Sequence, residues 1–172
     1  MHSKAYTTSL QVDVFVSHEL IHALHYTYRP EFYFTDEHTR NLVGRQVITE
    51  GLATWGTMKV MGVDAIKALW ADYVSPELAR RWYEQCQHRE REMAQRVLSE
   101  WQESQQTNEW FTMWDESDVT KYRGGYYVGL QVMRRLHQKH NMEVRVLLRF
   151  EPKSLEELTL TVLEEIAANN SA

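Results

Sequence analysis

The chain has 172 residues, a net charge of −5 from 19 Lys and Arg against 24 Asp and Glu, and one cysteine, Cys86. The lack of a basic block excludes nucleic acid and anionic membrane as expected partners, and a lone cysteine excludes an intramolecular disulfide. No 18-residue apolar run and no cationic-then-apolar leader is readable, so the expectation is a soluble, cytoplasmic protein, one domain over 1–172 that buries about 70% of its unfolded surface.

Residues 1–7 are polar and read as a frayed end. Thr8-Ser9-Leu10-Gln11 fits a capping box with Thr8 as N-cap and Gln11 at N3, and a helix is predicted from Leu10 to about Tyr28. Val12, Val14 and Val16 alternate as in a strand. No turn residue separates them from Ser17 and the residues beyond, so the expectation is one helix buried on most sides. Arg29-Pro30 ends it, because a residue before proline avoids the α region.

Inside that helix lies His18-Glu19-Leu20-Ile21-His22. Histidines four apart on a helix share a face, about 40° apart around the axis and about 6 Å along it, where one tetrahedral Zn²⁺ can take both imidazoles. Glu19 is turned about 100° from His18, within reach of a water on the metal but poorly placed to bind the metal. The spacing supplies two ligands and a base; the rival reading makes these histidines core residues. His25, three residues on, reads as a pocket-edge or surface histidine.

Residues 30–40 form a loop with Phe32, Tyr33, Phe34 and His38. A second helix is predicted from Asn41 to Met61, with Gly62 as its left-handed stop. It carries Glu50, 28 residues past His22, a carboxylate that can complete three protein ligands and leave a fourth position open. A short helix comes next over Asp64–Asp72. Ser75-Pro76 then starts another, predicted as one amphipathic helix to about Glu103 on the stripe Leu78, Trp82, Cys86, Met93, Val97 and Trp101. Cys86 sits on that stripe as a small buried apolar residue.

Residues 104–123 carry Trp110, Phe111, Trp114 and Tyr122 without periodicity, either lining a cleft or filling the core beneath the loop. Gly124 or Gly125 opens a helix to His140, with Asn141 as a left-handed cap. A further helix is predicted over Met142–Phe150, where Val144, Val146 and Leu148 also alternate like a strand. A last one runs from the capping box Ser154-Leu155-Glu156-Glu157 to about Ala167. His88, His137 and His140 lack ligand spacing and read as solvated. The fold class is mainly α, with little or no β-sheet and the motif helix at its centre.

His18-Glu19-x-x-His22, Glu50-Gly51-Leu52-Ala53 and Tyr122-Arg123-Gly124-Gly125-Tyr126-Tyr127 together resemble the gluzincins, zinc metallopeptidases of the H-E-x-x-H…E type. The likeness is greatest to their compact peptidase-MA-like branches. The resemblance implies a zincin-like domain holding one Zn²⁺ per chain on His18, His22 and Glu50, with Glu19 as general base activating the metal's water toward a peptide or protein substrate. It makes Tyr126 the donor to the oxyanion, with Tyr122 and Tyr127 behind it. Larger gluzincins often carry an acidic residue four after the ligand glutamate; here Thr54 stands there. They also have a sheet before the motif helix whose edge pairs with substrate, and 17 residues are too few for one. A zinc-binding helical module without hydrolysis therefore stays open as an alternative, as does a metal-free helical interaction domain.

Overall fold

The computed structural model describes residues 11–33, 36, 39, 41–104 and 109–168. Among them are eight α-helices: α1 (Val12–Tyr28), α2 (Val43–Met61), α3 (Ala65–Trp70), α4 (Pro76–His88), α5 (Glu90–Ser99), α6 (Gly124–His140), α7 (Val144–Leu147) and α8 (Pro152–Ala168). Two 3-10 turns, Pro30–Phe32 and Val119–Lys121, lie between them. No strand occurs among the described residues, which carry isolated bridges such as Leu42–Ser104 and Met113–Tyr122. The mainly α class read from the sequence holds, and among the described residues no helix is long and apolar enough to cross a membrane.

The deepest element is α2, with Val47, Ile48, Leu52 and Ala53 fully buried. It packs most extensively against α6 on one side and α1 on the other, and α5 lies on α8. α2 and α6 approach so closely at Gly51 and Gly129 that a Cβ on either would strike the other helix's backbone within about 2.5 Å. That contact requires glycine on both sides.

α1 buries one face only: Val14, Ser17, Ile21 and His25 point inward, while Val12, Phe15, Val16, Leu20 and Leu24 are exposed. The expectation of burial on most sides fails because α1 lies on the flank of the α2–α6 pair. Gln11 stands at the helix N-cap without a side-chain cap, its N–H donating to the Ala71 carbonyl at 2.8 Å. Thr8, Ser9 and Leu10, like Phe34 and His38, lie outside the described residues.

Starts and stops elsewhere obey local chemistry. Asp64 and Ser75 cap α3 and α4 by accepting from the Lys67 and Leu78 N–H groups, and Gly62 and Asn141 take the left-handed conformation that ends α2 and α6. Three boundaries differ most from expectation, one being the helix expected over Met142–Phe150, which shortens to Val144–Leu147. The predicted helix over 76–103 bends at Arg89, whose guanidinium reaches Glu92 and Asp118. This lets α4 and α5 bury successive parts of the stripe, Trp82 and Cys86 in one and Met93 and Val97 in the other. At α8 the cap is Glu151, not Ser154: its carboxylate accepts from the Lys153 and Ser154 N–H groups, and Pro152 occupies the first turn, where its missing N–H costs nothing.

In the 104–123 segment Trp110, Phe111 and Tyr122 are buried, Met113 lines a cleft, and Trp114 is 69% exposed. Three of the four rings fill the core beneath the loop and none of the four lines the cleft, which this segment meets through Met113 and Arg123.

Candidate metal centre

The i, i+4 spacing on α1 stacks His18 over His22, and α2 brings Glu50 across from them. His18 Nε2 lies 3.1 Å from His22 Nε2 and 3.1 Å from Glu50 Oε2, and His22 Nε2 lies 3.3 Å from the same oxygen. All three side chains are partly buried. A tetrahedral ion with bonds of about 2.0–2.1 Å separates neighbouring ligand atoms by about 3.3–3.4 Å, close to this triangle. Two bare imidazole nitrogens at that distance repel through their lone pairs, and two protonated ones crowd a single oxygen; a cation among them removes the conflict. Two nitrogens and one carboxylate oxygen suit zinc better than calcium or magnesium, which favour oxygen alone. The residues fit a zinc ion.

The electrostatics point the same way. Burial works against the charged form of Glu50, but hydrogen bonds from His18 and His22 and their charge outweigh it and hold the carboxyl at about 2. Burial also disfavours protonated His22, yet the hydrogen bond to Glu50 and the charges of Glu50 and Glu19 raise its pKa. A full negative charge therefore stands beside the two imidazoles at neutral pH.

Glu19 is exposed and lines two clefts that meet at His18 and Tyr126. One, of about 320 Å³, is walled by Val14, Phe15, Leu69, Trp70, Tyr73 and Met113, with Arg123 beside them. The other, of about 450 Å³, also contains His22 and Glu50 and is more polar, with Asn41, Arg45, Gln46 and Thr49.

Tyr126 is half-buried, its ring centroid 6.1 Å from that of His18. Burial pushes its pKa up, and the charge of Glu50 adds to this, so the hydroxyl keeps its proton. The Arg123 guanidinium sits 4.0 Å from the Tyr126 ring centroid and 5.0 Å from that of Trp70, and donates to the Leu69 carbonyl. Arg123 does this from the left-handed region, φ 60°, uncommon for a residue with a side chain. The neighbouring tyrosines lie elsewhere: Tyr122 packs against Trp70, and Tyr127 against Tyr83 and Trp82.

Two residues were not identified with the site from the sequence. His25, expected at a pocket edge or surface, is fully buried, because it continues the His18–His22 face by one more turn. Tyr33 brings its hydroxyl to 3.3 Å from His22 Nδ1 and 2.9 Å from His25 Nδ1. The i+7 spacing of His25 from His18 was a readable signal; Tyr33, beyond a 3-10 turn, had none. Thr54 is buried, and its hydroxyl bonds to neither histidine. His88 and His140 are exposed, and His137 lies half-buried against Trp55.

No curated protein and no solved structure matched the chain. A family model did, over residues 1–157, which include both histidines, Glu50 and Tyr126. The chain belongs to the family described as "Predicted Zn-dependent protease (DUF2268)".

Proposed function

We propose that the chain is a zinc metallopeptidase of the gluzincin type, in which His18, His22 and Glu50 hold one ion, Glu19 is the general base and Tyr126 the oxyanion donor. The observation that carries this reading is the 3.1–3.3 Å triangle of Nε2, Nε2 and Oε2 atoms, with an exposed carboxylate and a protonated phenol at its edge. Zinc held there would supply a Lewis acid and would lower the pKa of a bound water to about 7. Glu19, in the mouth shared by both clefts, takes a proton from the attacking water and returns it to the leaving amine nitrogen. The amide C–N bond breaks, and a carboxylate and an amine leave. Tyr126 donates its hydroxyl hydrogen to the developing oxyanion, and Arg123 holds that ring in position. A peptide crossing the centre lays one side chain in the apolar cleft, which takes aliphatic or aromatic residues.

The absence of a sheet edge among the described residues favours one other reading, a zinc-binding module that does not hydrolyse. Zinc content and turnover of a mixed peptide library, measured on wild type and Glu19→Gln, separate the two. The peptidase reading expects one zinc per chain in both and cleavage in wild type alone. Zinc in both with no cleavage by either assigns the module, and cleavage by zinc-loaded Glu19→Gln removes Glu19 as base.

A further inference from the structure

We propose that Tyr33 and His25 form a hydrogen-bonded relay that fixes His22 in the tautomer protonated at Nδ1, so that Nε2 presents its lone pair to the metal. The inference rests on the metal reading above and adds two positioning residues to it.

Tyr33 stands just past the 3-10 turn Pro30–Phe32, with its hydroxyl between His22 Nδ1 at 3.3 Å and His25 Nδ1 at 2.9 Å. A phenol has one hydrogen to donate and lone pairs to accept with, so it donates to one imidazole and accepts from the other. The two directions are not equivalent. If Tyr33 donates to His22, Nδ1 of His22 is bare, its hydrogen sits on Nε2, and that nitrogen cannot ligate. If Tyr33 donates to His25, His22 carries its hydrogen on Nδ1 and leaves Nε2 free. Only the second direction, His22 to Tyr33 to His25, suits a metal at the triangle.

Packing alone does not account for His25. The residue is wholly buried with its ring 5.1 Å from that of Phe32, and its Nε2 has no hydrogen-bond partner. A hydrocarbon side chain fills such a place without an orphaned ring nitrogen, which is rare in folded proteins. What His25 adds is an acceptor at Nδ1, kept bare because burial holds the ring neutral at pH 7. Partners of this kind on the second nitrogen of a metal-binding histidine typically account for 10–100-fold in metal affinity.

The test compares zinc affinity, by chelator competition, with the melting temperature of the metal-free protein in wild type, Tyr33→Phe, His25→Phe and His25→Asn. The relay expects Tyr33→Phe and His25→Phe each to bind zinc about 10–100-fold more weakly, with His25→Phe melting no lower than wild type. His25→Asn, which keeps an acceptor oxygen near the place of Nδ1 but loses the ring, should melt lower and hold zinc nearly as wild type does. A structural role predicts instead that affinity tracks melting temperature across the set. That pattern overturns the relay, as does unchanged zinc affinity in Tyr33→Phe. Should wild type itself take up no zinc, the metal reading fails separately, and ring-nitrogen NMR at pH 8 judges the relay. Protonation of His22 at Nδ1 and His25 at Nε2 sustains it; the reverse pair overturns it.

Discussion

Gly51 and Gly129 meet backbone to backbone where α2 crosses α6. A Cβ on Gly51 would lie 2.5 Å from the Gly129 carbonyl, and one on Gly129 would lie 2.4 Å from the Val47 carbonyl oxygen. Glu50 is the residue before one of these glycines, and Tyr126 lies almost one turn before the other. This close approach of α2 to α6 therefore sets the distance between the carboxylate and the phenol.

Gly51→Ala is expected to destabilise by about 1–3 kcal/mol or more, because the atom it meets is backbone and cannot rotate away. Zinc affinity should fall with it as Glu50 moves off the imidazoles. Gly56→Ala makes a milder comparison, since the nearest atoms its Cβ meets are Ile21 side-chain atoms at 3.0–3.1 Å and not backbone. Thermal melts and chelator titrations of both variants check this; equal effects would detach the crossing from the site.

Removal of any corner of the triangle should cost metal. His18→Ala and His22→Ala are expected to lose most of the zinc found in wild type. Glu50→Gln should lose orders of magnitude in affinity, because it removes both a ligand and the charge that offsets the ion. An exposed helix carboxylate with no such role would be nearly silent on substitution. Elemental analysis and competition titration read the result.

Tyr126→Phe is expected to lower kcat by about 10²–10³, the usual effect of losing one oxyanion donor, with KM and zinc content little changed. Tyr122→Phe and Tyr127→Phe, whose rings pack away from the centre, should keep kcat near wild type. Steady-state kinetics on the three variants decide which ring serves the reaction.

His25 makes the fold acid-sensitive. Its pKa is lowered to about 4 by burial, with the charges of His22 and Arg29 adding to this, against about 6.5 in the unfolded chain. Above pH 6.5 neither state is protonated there and the group contributes no slope. Between pH 6.5 and 4 the unfolded chain binds a proton that the folded one refuses, so stability falls with pH, by up to about 3 kcal/mol in all. Urea titrations of wild type and His25→Phe in chelator, at pH 7 and pH 5, should show wild type losing more on acidification. Parallel loss would place the acid sensitivity elsewhere.

The sequence made legible whatever rests on local chemistry. His18, His22 and Glu19 come from helical spacing, Gly62 and Asn141 from their tolerance of left-handed backbone, and Ser75-Pro76 from capping. Glu50 was legible as a carboxylate on a second helix, and its approach to both imidazoles needed the Gly51–Gly129 crossing to become visible. The bend at Arg89 was not legible, because no proline or glycine marks it and the carboxylates it reaches include Asp118, far along the chain. Glu151 was missed as a cap because Ser154 offered a more familiar pattern three residues later. Tyr33 and Arg123 take their roles from tertiary neighbours alone, so periodicity carried no sign of either.

The one-sided burial of α1 gives the centre a second aspect. Glu50 and Tyr126 ride on the interlocked pair α2–α6, whereas His18, Glu19 and His22 ride on a helix that touches the molecule through Val14, Ser17, Ile21 and His25. Whatever draws the two imidazoles to Glu50 also seats α1 against its neighbours. Seating of the helix and filling of the site by an ion would then be one linked equilibrium, each tightening the other, with the centre as the clasp that fastens this flanking helix.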